Sequence, residues 1–82
     1  MSQWDKLINE ILSKNKNLRF EDLSKALKYM GYIESQPRSG SSHYTFRKAG
    51  CMPITIPKQQ PMNKAYVEMI SEVVRIYMEL ED

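Results

Sequence analysis

Residues 43–57 read HYTFRKAGCMPITIP and carry the clearest structural pattern of the chain. Along HYTFR the apolar residues Tyr44 and Phe46 alternate with polar ones, which is the period of two of a β-strand with one buried face. The segment PITIP repeats the alternation through Ile54 and Ile56. The sequence therefore predicts two strands that share an apolar face, and an opposite, polar face formed by His43, Thr45, Arg47 and Thr55.

The segments on either side of these strands complete a predicted sheet. Gly50, within the connecting KAGC, can adopt the positive φ of a hairpin turn, so the two strands should pair antiparallel. Upstream, residues 32–36 are expected to form a first strand, and PRSGSS (37–42) a loop between it and the hairpin.

Outside the sheet the hydrophobic period is 3.6, which indicates helices. The second helix should begin near Phe20, with Glu21 and Asp22 in its first turn, and end at Gly31 as the left-handed C-terminal residue. Its buried stripe would be Phe20, Leu23, Leu27 and Met30. The first helix has the stripe Trp4, Leu7, Ile8, Ile11 and Leu12.

A final helix should follow the loop PKQQP, with Asn63 as its N-cap. Its buried stripe is expected to be Tyr66, Met69, Ile70, Val73, Tyr77 and Leu80. Three further apolar residues lie outside this stripe, and they predict either a wide core face or a surface for a partner: Val67, Val74 and Met78.

The length and composition predict one domain. An 82-residue chain with 41% hydrophobic and 27% charged residues fits a single core. No stretch has the 18 to 20 apolar residues of a membrane helix, and the N-terminus has no leader, so a cytoplasmic location is expected. Cys51 is alone, which excludes an internal disulfide and a zinc site of the usual ligands.

Charge is unevenly distributed along the chain. Residues 35–67 hold five basic side chains and no acidic one, whereas residues 68–82 hold five acidic side chains and one arginine. This asymmetry favours a phosphate-binding surface in the middle of the chain, although solvated lysines without a ligand are the commoner meaning of surface charge. The basic residues are Arg38, Arg47, Lys48, Lys58 and Lys64.

The predicted order α-α-β-β-β-α is an α+β fold, a three-stranded antiparallel sheet with helices on one face, as in the double-stranded-RNA-binding domain. The segment FEDLSKALKYMGYIESQPRSGSSHYTFRKAG, followed by PITIP and a lysine before a final helix, resembles the HicA toxins, small ribonucleases held inactive by HicB antitoxins. The resemblance covers roughly residues 8–76. It implies one ribonuclease domain over 1–82, with an additional N-terminal helix and connector over 1–17 and the core over 18–82.

The resemblance also implies a function and a site. His43 would be the catalytic residue of an mRNA interferase that arrests growth in a stress response, and the protein would need no metal or other cofactor. Its partners would be mRNA and a HicB-like antitoxin, with which it would form a hetero-oligomer in the cytoplasm.

The residues are compatible with this chemistry. Cleavage of RNA through its own 2′-hydroxyl requires a base, an acid and positive charge, and histidine as a residue type can serve as base or acid. Basic residues could stabilise the developing charge, and the small residues after Gly40 would let a phosphate approach the backbone. The expected RNA-binding residues are Arg38, Gly40, Ser41, Ser42, Arg47, Lys48, Lys58 and Lys64.

Other interpretations stay open at the level of sequence. An exposed histidine on a strand is usually a polar surface residue, and Ser42 as a nucleophile is the poorer catalytic choice because no carboxylate follows in a triad-like setting. Three classes remain: a ribonuclease toxin, a non-catalytic RNA-binding module of the same fold, and a protein-interaction domain.

Overall fold

The hairpin of residues 43–57 forms as predicted and lies at the centre of the fold. The structure, a computed structural model, describes residues 3–36 and 42–81. Its elements are α1 (Gln3–Leu12), α2 (Phe20–Tyr29), β1 (Ile33–Ser35), β2 (His43–Arg47), β3 (Ile54–Pro57) and α3 (Lys64–Glu81). The three strands form one antiparallel sheet in the order β1-β2-β3. The predicted α+β class and element order are therefore confirmed.

The end of α2 explains why β1 is shorter than predicted. Gly31 has φ +103°, its N–H donates to the Lys28 carbonyl, and the Tyr32 N–H donates to the Leu27 carbonyl at 3.0 Å. These two bonds form a Schellman motif, which satisfies the last carbonyls of the helix. Because the motif uses the Tyr32 N–H, pairing with β2 begins only at Ile33.

The helices pack on one face of the sheet. Phe20 of α2 lies against Tyr44 and Phe46, with ring centroids 4.9 Å and 6.2 Å apart, and Phe46 is fully buried. The core joins all three helices to this face. Its buried residues are Ile8, Ile11, Leu18, Phe20, Leu23, Ala26, Leu27, Met30, Tyr32, Phe46, Ile54, Ile56, Met62, Val67, Ile70 and Val74.

The ends of the helices mostly follow the sequence signals. The Ala65 N–H donates to Asn63 Oδ1 at 2.8 Å, so Asn63 caps α3 as predicted. Asp22 accepts the Arg19 N–H at 2.9 Å at the start of α2. In α1 the predicted stripe holds except at its end, because Leu12 is 39% exposed.

The buried face of α3 differs from the prediction. Val67 and Val74, which were expected outside the core stripe, are 3% and 0% exposed, whereas Leu80 is 80% exposed. The buried line runs through Ser71, whose hydroxyl donates to the Glu68 carbonyl at 2.8 Å. Because its hydroxyl bonds within the helix, Ser71 can be buried although serine is polar. In the sequence this polar residue interrupts the apolar pattern of the face that is buried in the structure.

Of the two alternatives for Val67, Val74 and Met78, the wide core face is confirmed for Val67 and Val74, which removes them from a partner surface. Val67 and Val74 hold the core, and of that set only Met78 is exposed, at 40%. Met69, predicted to be buried, is 39% exposed. No helix among the described residues is long and apolar enough to cross a membrane.

Candidate nucleic-acid interface on the open face of the sheet

The face of the sheet opposite the helices carries the candidate site. Residues directly opposite each other in an antiparallel sheet point to the same side. Thr45 pairs with Ser35 on one side and with Thr55 on the other, and Arg47 pairs with Ile33. We call this surface the open face, and it comprises Ile33, Ser35, His43, Thr45, Arg47 and Thr55.

His43 begins β2 at one end of the open face. It is exposed and stands opposite Pro57 of β3. One residue earlier, the Ser42 carbonyl accepts the Lys58 N–H at 2.8 Å, which extends the pairing of the two strands past His43. The backbone that holds His43 is therefore fixed by β3, and the predicted exposure of this side chain is confirmed.

Two threonine hydroxyls lie beside His43 at the centre of the open face. Thr45 Oγ1 and Thr55 Oγ1 are 3.0 Å apart and share a hydrogen bond across the strands. Residues two apart along a strand are separated by about 7 Å, so this pair is the next feature of the face after His43. The strand period predicts both threonines on the polar face, as observed, whereas their hydrogen bond depends on the register between β2 and β3.

Arg47 ends β2 at the other end of the open face. It is exposed and pairs with Ile33, itself 73% exposed. Arg47 lies four positions after His43, which separates their Cα atoms by about 13 Å. At this separation Arg47 is placed to bind a neighbouring part of an extended ligand.

Lys48 does not join Arg47 on the open face. Its ammonium lies 5.1 Å from the ring centroid of Tyr77 and 5.7 Å from that of Tyr32, on the side of the sheet where α3 packs. A cation held over two aromatic rings is stabilised by the ring quadrupoles. The charges of Arg47 and Lys48 thus lie on different sides of the sheet, although both residues line one shallow depression beside Ile33 and Ser35, and RNA binding by Lys48 stays a prediction.

Lys58 lies near the His43 end of the sheet, among groups at the start of α2. The pKa of Glu21 is lowered, chiefly by a backbone hydrogen bond and further by Gln60, Arg19 and Lys58. Lys58 thus has a carboxylate in its surroundings. Lys58 can still make the electrostatic potential near His43 more positive, but the negative charge of Glu21 partly offsets this effect.

Lys64 is further away, in the first turn of α3. Its ammonium lies 4.0 Å from Glu68 Oε1, and its side chain is 84% exposed. Such exposed ion pairs are weak and leave the lysine available to other anions. Of the predicted basic residues that the structure describes, only Arg47 has its side chain on the open face, whereas Lys48, Lys58 and Lys64 lie elsewhere.

The loop that precedes His43 is described only at its end. Ser42 is exposed, whereas Arg38, Gly40 and Ser41, three of the predicted RNA-binding residues, lie outside the described residues.

The carboxylate within the sheet, that of Glu34 in β1, lies on the face opposite to His43. Glu34 accepts a hydrogen bond from Ser24 Oγ at 2.9 Å and an ion pair from Lys28 at 3.3 Å, both from α2. It pairs with Phe46, on the covered face. The open face as described thus contains no acidic residue, which favours an anionic ligand.

Metal-binding residues are not gathered in the described part of the chain. No group of three or more His, Cys, Asp or Glu side chains among residues 3–36 and 42–81 could hold a metal ion. Cys51 is an exposed free thiol in the turn between β2 and β3.

No family model, curated protein or solved structure matches the chain.

Proposed function

We propose that this protein is a metal-independent endoribonuclease toxin of the HicA type, with a double-stranded-RNA-binding-domain-like fold, acting on mRNA in the cytoplasm. The observation that supports this most is the position of His43. The one histidine of the chain stands exposed on a sheet face that has Arg47 and no described carboxylate.

The proposed reaction uses the RNA's own 2′-hydroxyl as nucleophile. The 2′-oxygen bonds to the adjacent phosphorus, the bond from phosphorus to the 5′-oxygen breaks, and the products are a 2′,3′-cyclic phosphate and a 5′-hydroxyl. His43 takes the 2′ proton or donates one to the leaving 5′-oxygen, a role typically worth about 10² to 10⁴ in rate. Arg47 and Lys58 supply positive charge to the substrate strand.

A HicB-like antitoxin would silence this site by covering it. We expect a small acidic protein, encoded next to this chain, to form a hetero-oligomer that buries the open face and the loop before His43. Electrostatic steering would make this association fast at low salt. The partner cannot use Val67 or Val74 for contact, because both are core residues.

The covering of the site can be measured through the reactivity of His43. As the chain has a single histidine, its modification by diethyl pyrocarbonate reports on this position alone. The partner should slow the modification strongly. Equal rates with and without a partner that abolishes cleavage would mean that inhibition acts at a distance.

The nuclease activity is tested on a purified transcript in EDTA. The proposal predicts cleavage that EDTA does not reduce, with new 3′ ends that carry a 2′,3′-cyclic phosphate. Binding of the transcript without cleavage would instead identify a non-catalytic RNA-binding module. Neither binding nor cleavage would favour a protein-interaction domain.

A further inference from the structure

The open face arranges three kinds of group in a line along β2. His43 lies at one end, the Thr45–Thr55 hydroxyl pair in the middle and Arg47 at the other end. Successive features are separated by about 7 Å, since the residues on one side of a strand recur every second position. We call this line of His43, Thr45, Thr55 and Arg47 the track. Its length suits an extended strand lying along β2 better than one small molecule.

The charge of the track selects an anionic occupant. Arg47 carries a positive charge and the described residues of the face include no carboxylate. Glu34, in the same sheet, is bound by Ser24 and Lys28 on the other side. A single nucleic-acid strand places one negative charge at each nucleotide. Arg47 fits the anionic backbone of such a strand, and the next group on the face, the Thr45–Thr55 hydroxyl pair, distinguishes a nucleic-acid strand from an acidic protein segment.

The threonine pair adds a second kind of recognition. Each hydroxyl has one proton and two lone pairs, and the shared bond at 3.0 Å uses one of the two protons. The pair can thus still donate one hydrogen bond and accept others at the surface. A ribose 2′-hydroxyl, which both donates and accepts, is the group that such a pair matches, and deoxyribose lacks it.

We propose that an RNA strand crosses the open face from His43 to Arg47, and that Thr45 and Thr55 bind the ribose 2′-hydroxyl of the nucleotide next to the scissile phosphate. The threonine pair would thereby contribute to the preference for RNA over DNA. This inference rests on the proposed function for the position of the scissile phosphate. The two threonines are specificity residues in it, separate from the catalytic step at His43.

The test replaces both threonines with valine, Thr45→Val and Thr55→Val, in the full chain that also carries His43→Ala to prevent cleavage. Valine is close in shape to threonine and favoured in strands, so the fold should be kept. Binding of a single-stranded RNA and of the DNA of the same sequence is measured by fluorescence anisotropy. Ser13→Ala, in the connector after α1, is the matched loss of an exposed hydroxyl away from the face.

We expect RNA affinity to fall about 3- to 10-fold, as for the loss of one hydrogen bond, with DNA affinity and the Ser13→Ala variant unchanged. An equal fall for RNA and DNA would overturn recognition of the ribose, and no change for either would show that the strand does not cross the threonine pair. Cleavage by the wild-type chain is measured separately. If cleavage fails but the RNA-selective loss is found, the nuclease proposal falls while the RNA track stands.

Discussion

The two faces of the sheet are made of alternate residues of the same strands, yet they have opposite roles. On the covered face Phe46, Ile54 and Ile56 are buried beneath the helices. On the open face the adjacent Arg47 and Thr55 are exposed and Thr45 is partly exposed. Because the side chains alternate, the residues that stabilise the fold and those proposed to bind a ligand are neighbours in the chain. A change at one residue should therefore affect stability, and a change at the next should affect binding.

The largest effect on stability is expected at Phe46. Phe46→Ala removes a fully buried ring that packs on Phe20, which typically costs about 3–5 kcal/mol. For a domain of this size the melting temperature should fall by about 15 to 30 °C. The neighbouring Thr45→Val should change the free energy of unfolding by less than about 0.5 kcal/mol. Thermal unfolding followed by circular dichroism measures both, and similar losses for the two would contradict the division between faces.

A smaller effect is expected within α3, where the structure corrected the sequence. Val74→Ala empties space in the core and should cost about 2 kcal/mol, or about 10 °C in melting temperature. Met78→Ala, at a position that is 40% exposed, should cost about 0.5 kcal/mol. If Met78→Ala were the more damaging of the two, the buried face of α3 would be the one first predicted from the sequence.

Arg47 and Lys48 are adjacent in the chain, but their charges lie on opposite sides of the sheet. Arg47→Ala should reduce the slope of log affinity against log salt for single-stranded RNA by about 0.7, the value for one lost phosphate contact. Lys48→Ala should leave the slope unchanged, because its ammonium lies over Tyr32 and Tyr77 on the other side of the sheet. Salt titrations of both variants decide the matter, and equal slopes for the two variants would mean that the sheet alternation does not govern RNA binding.

The smallest effect is a pH dependence on the covered side. Burial raises the pKa of Tyr32, and the neighbouring thiol of Cys51 raises it further. A raised pKa means that the fold holds this proton more tightly than the unfolded chain does, so its stabilising effect is complete below about pH 10 and is lost as the pH rises further. Tyr32→Phe should therefore lose less stability than the wild type between pH 9 and about pH 11, as measured by urea unfolding. An identical loss in both proteins would show that Tyr32 does not titrate with unfolding.

The sheet and the ends of the helices could be predicted from sequence because each of their signals is local. The alternation of Tyr44 and Phe46, the positive φ of Gly31 and the Asn63 cap each depend on a few consecutive residues. The face of α3 could not, since it depends on Ser71 satisfying its hydroxyl inside the helix. With a polar residue at the centre of the buried face, the apolar residues in the sequence predict a stripe that lies to one side of the face that is actually buried.

The candidate site was predictable only in part for a related reason. The exposure of His43 and Arg47 follows from the period of a strand. The threonine pair depends on the register between β2 and β3, and the place of Lys48 depends on α3 lying close enough to offer Tyr77. Both involve contacts between residues distant in sequence, which no local pattern contains.

We propose that His43 transfers a proton during RNA cleavage, on a face of the sheet that does not stabilise the fold. The direct measurement is the cleavage rate of a purified transcript by the wild type and by His43→Ala in EDTA, with the melting temperature of both proteins recorded alongside. We predict that the variant loses cleavage by about 10² or more while its melting temperature stays within a few degrees of the wild type. A variant that still cleaves at the wild-type rate, or that loses activity only because it melts much earlier, would contradict the account.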